Sequence, residues 1–324
     1  MEIFVAVETY IDRKRSLGVT FEKAALNLRS FSKRVGDVPL ETITPGQILR
    51  FLNGPRTSTV TWRVKYNLLK HFFEYWAARG ILPALPMPVI RPPVPRTFVP
   101  YIYSRNEVRM LLGTARESQR PATCSIDSAT LRIFLVFLYA TGVFVGEALG
   151  LLQEDVDLKK GAITIRGSRF NRSRIIPIGA DLQTKLQRYV TRFGRKRTLC
   201  PYFFLDKQGK AVSCHTLRAT FQKLRRLAGI RRHDGAIYQP RMHDLRYTFA
   251  VHRLTSWFKQ GANMNRLLPA LAAYIGQVGL GSTERYLSMT PERFRKQLVK
   301  LSPQRRRKRR WREDPVLMKF LTEL

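Results

Sequence analysis

A run of prolines divides this chain into two parts. Seven of its 18 prolines fall between Pro83 and Pro100. Proline lacks the backbone N–H that helices and sheets use, so such a segment stays extended and fairly stiff. We therefore predict a linker over residues 83–100, with one domain over residues 1–82 and a larger one over residues 101–302. The 324 residues, of which 44% are hydrophobic, can give each domain its own core.

The first domain is predicted to be helical. Apolar residues recur there at the spacing of a helix face, in two groups: Phe4, Val7, Tyr10 and Ile11, then Phe21, Ala24, Ala25 and Leu28. Thr44 and Pro45 form a cap and a first-turn proline at the start of a further helix.

The last helix of this domain, which begins near Ser58, combines aromatic and basic residues. An apolar stripe recurs every three or four residues, at Trp62, Tyr66, Leu69, Phe73 and Trp76. We interpret the stripe as core. Arg63, Lys65 and Lys70 alternate with it, and on the other face of the helix they could either bind nucleic-acid phosphates or remain solvated.

The second domain is predicted to mix helices with a small sheet. Residues 131–140 form an apolar helix that Thr141 and Gly142 end, and a short helix begins at Val145. Two β-rich runs, 161–166 and 174–178, flank a polar tip and predict a hairpin that carries three cations: Arg169, Arg172 and Arg174. Further helices are predicted between Ser213 and Gly229, over 243–257, over 267–275, and from Thr290 to Leu301. The fold class is thus mainly α with a small β-sheet.

Residues 303–324 form a basic tail. Six consecutive cations, from Arg305 to Arg310, cannot pack in a core, so this run should contact nucleic acid or remain mobile. The apolar pattern after Pro315 predicts a short helix that packs either on a neighbouring subunit or on its own domain.

The charge of the chain indicates its partner. It has 58 Lys and Arg against 23 Asp and Glu, which gives a net charge of +35. Polyanions are the natural ligand of such a surface, and nucleic acid is favoured over an acidic membrane because no long uncharged apolar run occurs. The early Glu2 and short apolar start do not resemble a signal peptide. We expect a cytoplasmic protein associated with the nucleoid.

The three cysteines, Cys124, Cys200 and Cys214, do not suggest a metal site. Their number is odd and no two have the C-x-x-C spacing, so neither a disulfide framework nor a zinc site is expected. We predict that the protein uses neither a metal nor a cofactor.

The candidates for chemistry lie near the carboxyl end. His243 and Arg246 are one helical turn apart, and Tyr286 follows forty residues later with Arg285 beside it as a further DNA-binding candidate. A metal-free attack on a phosphodiester needs a nucleophile, cations for the non-bridging oxygens and an acid for the leaving oxygen. The alternatives are that His243 only caps a helix and that Tyr286 is a half-buried core tyrosine. We assign Tyr274, in an apolar pattern, to packing.

An ordered set of motifs resembles the tyrosine recombinase, or phage integrase, family. It comprises T-G-x-x-x-G-E at 141–147, the arginine-rich hairpin, H-x-x-R at His243 and Arg246, and Gln277 nine residues before Tyr286. The resemblance implies a helical core-binding domain followed by an α/β catalytic domain. It implies that Tyr286 forms a 3′-phosphotyrosyl bond and frees a 5′-hydroxyl, that Arg246 clamps the scissile phosphate and that His243 assists proton transfer.

Three positions depart from that family's pattern. Phe144 stands where T-G-x-R places a catalytic arginine, and a phenyl ring cannot neutralise a phosphate. The lysine expected as general acid aligns with Arg169, which holds its proton too tightly to release it readily. Gln277 occupies the position of a histidine or tryptophan and carries no charge. Losing one preorganised donor typically costs about 10² to 10³ in rate.

Two functions therefore compete. The chain is either a slow site-specific DNA recombinase, or a weak or inactive DNA-binding accessory subunit beside an intact relative. A basic RNA-binding protein is a third, less favoured class. The resemblance implies monomers that assemble on double-stranded DNA as a homotetramer on two paired sites, alone or with related recombinases, and no membrane partner.

Overall fold

A computed structural model describes the chain in nine ranges: residues 1–19, 21–55, 57–90, 98–119, 124–167, 173–193, 200–236, 238–277 and 286–290. The chain divides into two compact units, Met1–Phe98 and Val99–Leu324.

The first unit is helical, as predicted. Its α-helices are α1 (Ile3–Ser16), α2 (Glu22–Val35), α3 (Pro45–Leu52) and α4 (Thr59–Ala77), and a short 3-10 helix spans Leu40–Thr42. The predicted start signals operate: the Thr44 hydroxyl accepts from the Gln47 N–H at 3.4 Å, and the Ser58 hydroxyl accepts from the Thr61 N–H at 3.2 Å. These bonds satisfy amide groups that lack partners in the first turn.

The aromatic stripe of α4 lies in the core of this unit, which confirms its interpretation. Trp62, Leu69, Phe73 and Trp76 are buried, and Tyr66 is partly buried against them. One predicted core residue is wrong: Phe4 is 57% exposed, and Ile3 is buried in its place. Either position can share a face with Val7 and Ile11 at helical spacing, so the sequence pattern could not separate them.

Part of the predicted linker belongs to the first unit. Leu82, the last residue before the linker, is buried in its core; within the linker, Met87 packs against that core, and the Pro88 carbonyl accepts a hydrogen bond from the Tyr66 hydroxyl at 3.5 Å. The boundary between the units falls after Phe98. The linker as a separate segment stays a prediction, and residues 91–97 lie outside the described residues.

The second unit surrounds the buried helix α6 (Ser128–Thr141). Its other elements are α5 (Arg105–Ser118), α7 (Val145–Leu149), β1 (Val156–Asp157), β2 (Ala162–Ile165), β3 (Arg174–Pro177), α8 (Ala180–Phe193), α9 (Cys214–Leu227), α10 (Asp244–Lys259) and α11 (Met264–Ile275). Helix α6 packs against α5, α8 and α10, because its own apolar residues cover most of its sides. The mainly α fold with a small sheet is confirmed.

The predicted hairpin is present as β2 and β3. The strands are antiparallel, with Ile163 opposite Ile176, and both of these residues are buried. The short β1, which the sequence did not indicate, adds to the other edge of β2. The hairpin tip with Arg169 and Arg172 lies outside the described residues, as do the run after Thr290 and the tail 303–324.

No helix among the described residues is both long and apolar enough to cross a membrane.

Candidate active site

Arg246 lies at the centre of the site, one turn into α10. Its side chain is directed inward, and the residue is 2% exposed. The guanidinium donates to the Gly142 carbonyl from Nη1 and to the Ile275 carbonyl from Nη2, each at 2.6 Å. These carbonyls terminate α6 and α11, where backbone oxygens lack helical partners and carry partial negative charge. Two helix ends therefore hold the cation.

Glycines make this arrangement possible. Gly142 and Gly276 cap α6 and α11 with left-handed conformations, at φ of +63° and +72°. A Cβ on Gly142 would meet the Phe249 ring at 2.3 Å, and one on Gly276 would meet the Arg174 guanidinium at 2.6 Å. No other residue type fits both the backbone and the space.

The buried Arg246 and the partly buried Arg174 differ in how their charge is balanced. Arg174 is neutralised by a two-pronged ion pair with Glu147, at 2.8 and 2.9 Å, and its Nε donates to the Tyr274 carbonyl at 3.0 Å. Arg246 has no carboxylate within ion-pair distance among the described residues. Burial lowers the pKa of Arg246 from its usual value, because the cation has lost hydration, and the Tyr286 oxygen opposes that effect. Arg246 thus retains a charge that an anion could balance.

Tyr286 reaches this cation. Its ring is buried and packs among Phe249, Leu271 and Ile275. Its hydroxyl accepts a hydrogen bond from Gln277 Nε2 at 3.0 Å and interacts electrostatically with the Arg246 guanidinium. The ring does pack in a core, as the alternative interpretation has it, but the phenolic oxygen faces the guanidinium. The two residues that sequence analysis singled out lie together.

His243 and Phe144 form a stack beside Arg246. Their rings are 5.5 Å apart between centroids and inclined by only 9°, and Arg246 Cζ lies 3.8 Å over the Phe144 ring. His243 is the N-cap residue of α10, but its side chain makes no capping hydrogen bond. The Phe144 N–H donates to Glu147 Oε2 at 2.9 Å, which fixes the start of α7.

Tyr247 and Glu147 were not among the site residues predicted from the sequence. The Tyr247 ring lies 5.9 Å from His243 and 5.4 Å from Tyr286, edge to face with both. The signal was present, since Tyr247 is one helical turn after His243 and therefore shares its face. Glu147 belongs to the quoted motif, but its partner Arg174 is 27 residues away and could not be identified from spacing.

The basic residues of α4 are more exposed than Arg246. Arg63 is exposed on α4, Lys65 Nζ lies 4.4 Å from the Phe51 ring centroid, and Lys70 pairs with Glu74 at 3.6 Å. The interpretation of Arg174 as a DNA contact is not supported, because Glu147 and a carbonyl occupy its guanidinium. Arg285 lies outside the described residues, as do Arg169 and Arg172.

Tyr274 has the packing role expected of it. Its ring stacks on Phe249 at 5.8 Å, its hydroxyl donates to the Pro177 carbonyl at 3.2 Å, and burial raises its pKa. No cluster of three or more His, Cys, Asp or Glu side chains in the described ranges could hold a metal ion.

Comparisons with known proteins found relatives of this chain. The model of the phage integrase family matches residues 103–267. A protein of Sinorhizobium fredii (strain NBRC 101917 / NGR234), named as an integrase/recombinase y4rE, is 33% identical over 296 residues, which cover 87% of this chain and 90% of that one. Tyrosine recombinase XerC of Staphylococcus aureus (strain MSSA476) is 26% identical over 242 residues, or 74% of each chain.

Solved structures show the same fold. A lambda integrase fragment, solved as a dimer bound to a COC′ core site, superposes with a TM-score of 0.64 at 18% identity, covering 86% of this chain and 96% of its own. The integrase of transposon Tn1549, in complex with a circular intermediate DNA, gives a TM-score of 0.61 at 16% identity, covering 87% and 94%. The motifs, the matched residues and the fold agree, and the chain therefore belongs to the phage integrase family of tyrosine recombinases.

Proposed function

We propose that this protein is a site-specific DNA recombinase that cleaves and rejoins strands through Tyr286, at a rate that Phe144 reduces. The supporting observation is Arg246: a buried guanidinium without a carboxylate partner in the described structure, placed against the phenolic oxygen. A buried charge is costly unless an opposite charge or dipoles compensate it. The scissile phosphate would supply the opposite charge, and Tyr286 would already be beside it.

The proposed step replaces one phosphoester bond by another. The Tyr286 oxygen attacks phosphorus, a 3′-phosphotyrosyl bond forms, and the bond to the 5′-oxygen breaks. The phenol loses its proton and the leaving oxygen gains one, so the 5′-hydroxyl is released without net consumption of water. Rejoining is the reverse reaction. Arg246 holds the non-bridging oxygens, and His243, next to it, assists the proton transfer.

Two of the departures from the family pattern now have a structural counterpart. Phe144 supplies a ring where a second cation would contact the phosphate. Gln277 donates to the hydroxyl of Tyr286, the proposed nucleophile, and it carries no charge. Each change removes stabilisation from the same developing charge, so slow cleavage is expected.

A second candidate function follows from Phe144. If the missing cation abolishes cleavage, the chain serves as a DNA-binding accessory subunit beside an active relative. The fold and the buried Arg246 would be retained in that case. The fold keeps the domain stable, and Arg246 still binds the phosphate.

Duplex DNA is the proposed partner in both cases. The net charge of +35 supports it, as do the DNA-bound states of solved relatives: lambda integrase as a dimer on a core site and as a tetramer on a Holliday junction. We propose assembly as a homotetramer on paired sites, with or without a related recombinase. Binding should weaken steeply with salt, because each neutralised phosphate releases counterions.

Trapping of the covalent intermediate tests the proposal. A preferred duplex is first selected from a random library, together with duplexes from the DNA that flanks the gene, and is then nicked so that cleavage cannot reverse. We expect a weak adduct with the natural protein, a clear gain with Phe144→Arg and none with Phe144→Arg/Tyr286→Phe. A chelator should leave the adduct unchanged.

The outcomes separate the candidates. Adduct in the natural protein supports the recombinase, and adduct only after Phe144→Arg supports the accessory subunit. If duplex DNA is bound but Phe144→Arg gives no adduct, the account of the defect is wrong. If no duplex is bound at all, both candidates fail.

A further inference from the structure

We propose that Phe144 is a positioning residue, whose ring holds Arg246 and His243 in the orientations that the reaction uses. This inference rests on the proposed function for the reaction itself. It goes beyond that function by giving Phe144 a contribution of its own. The residue that lacks the usual charge would thereby preserve the geometry of the two residues that remain.

The Phe144 ring contacts Arg246. The guanidinium carbon lies 3.8 Å from the Phe144 ring centroid, well inside the distance at which a cation is attracted to the face of an aromatic ring. Two N–H groups point to the Gly142 and Ile275 carbonyls. The ring therefore covers the face of the guanidinium, and the carbonyls fix its edge. Because the face and the edge of the guanidinium are both constrained, its remaining N–H groups point in a defined direction.

Four rings form a continuous row, which we call the aromatic row: Phe144, His243, Tyr247 and Tyr286. Successive centroids are 5.5, 5.9 and 5.4 Å apart. The first contact is parallel and the other two are edge to face, which are favourable geometries for aromatic pairs. The row begins at Phe144 and ends at the nucleophile.

The backbone of Phe144 is itself fixed by hydrogen bonding. Its N–H is bound to Glu147, and Glu147 is locked by the ion pair with Arg174 on β3. The ring therefore projects from a fixed backbone. These bonds would form with any side chain at position 144 and only fix where the ring starts, whereas the parallel stack on His243 depends on the ring itself.

The proposal ranks substitutions at this position. Tyrosine keeps the ring and should act like phenylalanine. Leucine keeps an apolar side chain but removes the π face, so Arg246 and His243 would lose their common support. Arginine adds the missing charge and should raise cleavage by a different route. A view of Phe144 as a simple defect predicts instead that leucine and phenylalanine are equivalent.

The first test needs neither DNA nor activity. Phenylglyoxal modifies accessible guanidiniums, and peptide mass mapping measures the rate at each arginine. We expect Phe144→Leu to accelerate modification of Arg246 by roughly 2- to 30-fold, the range that corresponds to loss of a cation–π contact. Phe144→Tyr should leave that rate unchanged.

Arg232 gives the matched control, because it is also buried and its Cζ lies over another ring, that of Tyr101, at 5.8 Å. Phe144→Leu should not alter modification of Arg232, and Tyr101→Leu should not alter that of Arg246. Equal rates for Arg246 in the natural protein and in Phe144→Leu would overturn the proposal. So would faster modification of both arginines in Phe144→Leu, since that indicates general loosening.

The second test uses the nicked duplex. Phe144→Leu should lower the single-turnover rate of adduct formation at saturating DNA, with little change in DNA affinity. Phe144→Tyr should have the rate of the natural protein. A loss of DNA affinity alone, or a rate for leucine equal to that of phenylalanine, would contradict a positioning role. If no variant forms adduct, the proposed cleavage fails, and the phenylglyoxal result still decides the role of Phe144.

Discussion

Helices α4 and α10 both combine aromatic and basic residues, but they place them in opposite ways. On α4 the aromatic stripe lies in the core, while Arg63 and Lys70 are exposed. On α10 the cation Arg246 is itself buried and is held by the ends of two helices. An exposed cation is stabilised by water whether or not it has a ligand. A buried one without a carboxylate depends on backbone dipoles and on whatever anion binds, so we expect substitution of Arg246 to change the reaction rate and substitution of the α4 cations to change DNA affinity.

The largest expected effect is on the stability of the core that α4 helps to form. Phe73→Ala should destabilise the first unit by about 3–5 kcal/mol, because it removes a fully buried ring and leaves a cavity. Denaturant unfolding of the full chain, followed by tryptophan fluorescence, measures this. Val64→Ala, at an exposed position of the same helix, is the control and should change stability little. A loss below about 1 kcal/mol for Phe73→Ala would mean that the stripe is not core.

On α10, Arg246→Ala should lower the rate of adduct formation by about 10² to 10³, since a donor preorganised for the developing charge is lost. Arg246→Lys should rescue little, because one ammonium group cannot bond two carbonyls and a phosphate with the geometry of a guanidinium. Single-turnover trapping on the nicked duplex, in the Phe144→Arg background, gives the rates. Full activity of Arg246→Lys would argue that charge alone matters there.

The exposed cations of α4 should act on affinity instead. Arg63→Ala is expected to reduce the slope of log affinity against log salt by about 1, with a similar loss on every sequence, if Arg63 binds one phosphate. Lys70→Ala is the matched comparison and should reduce it less, because Glu74 already pairs with Lys70. Titrations at several salt concentrations check both, and an unchanged slope for Arg63→Ala would remove it from the interface.

The smallest effect concerns the stability contributed by the same surface pair. Lys70→Ala should change the free energy of unfolding by about 0.5 kcal/mol or less, since exposed ion pairs four residues apart are weak and screened by salt. Denaturant unfolding at low and high salt measures it. A loss well above 1 kcal/mol would show that α4 depends on its surface charges as well as on its core.

Local patterns in the sequence predicted much of this structure. The hairpin of β2 and β3 followed from β-rich runs, the start of α3 from Thr44 and Pro45, and the end of α6 from Gly142. Phe4 was misplaced because two adjacent positions fit one helical face equally well. Such errors are confined to one residue because periodicity defines a face only to within about one position.

The site was only partly predictable. The spacing of His243, Arg246 and Tyr286 indicated the chemistry, since their types and order match a known family. The partners of Arg246 are backbone carbonyls 104 and 29 residues away, and backbone groups have no sequence signature. The stack of Phe144 on His243 is equally long-range. From the sequence Phe144 was only a missing charge, whereas the structure gives its ring two contacts.

Mixing two inactive variants tests most directly that Arg246 and Tyr286 of one chain form one site. In the Phe144→Arg background, Arg246→Ala and Tyr286→Phe proteins are combined on a nicked duplex with two binding sites, and binding of both proteins is verified. Since the Tyr286 hydroxyl interacts electrostatically with the Arg246 guanidinium of its own chain, we predict no adduct beyond that of either variant alone. Restoration of adduct to a substantial fraction of the parent level would contradict the account, because nucleophile and phosphate clamp would then come from different chains.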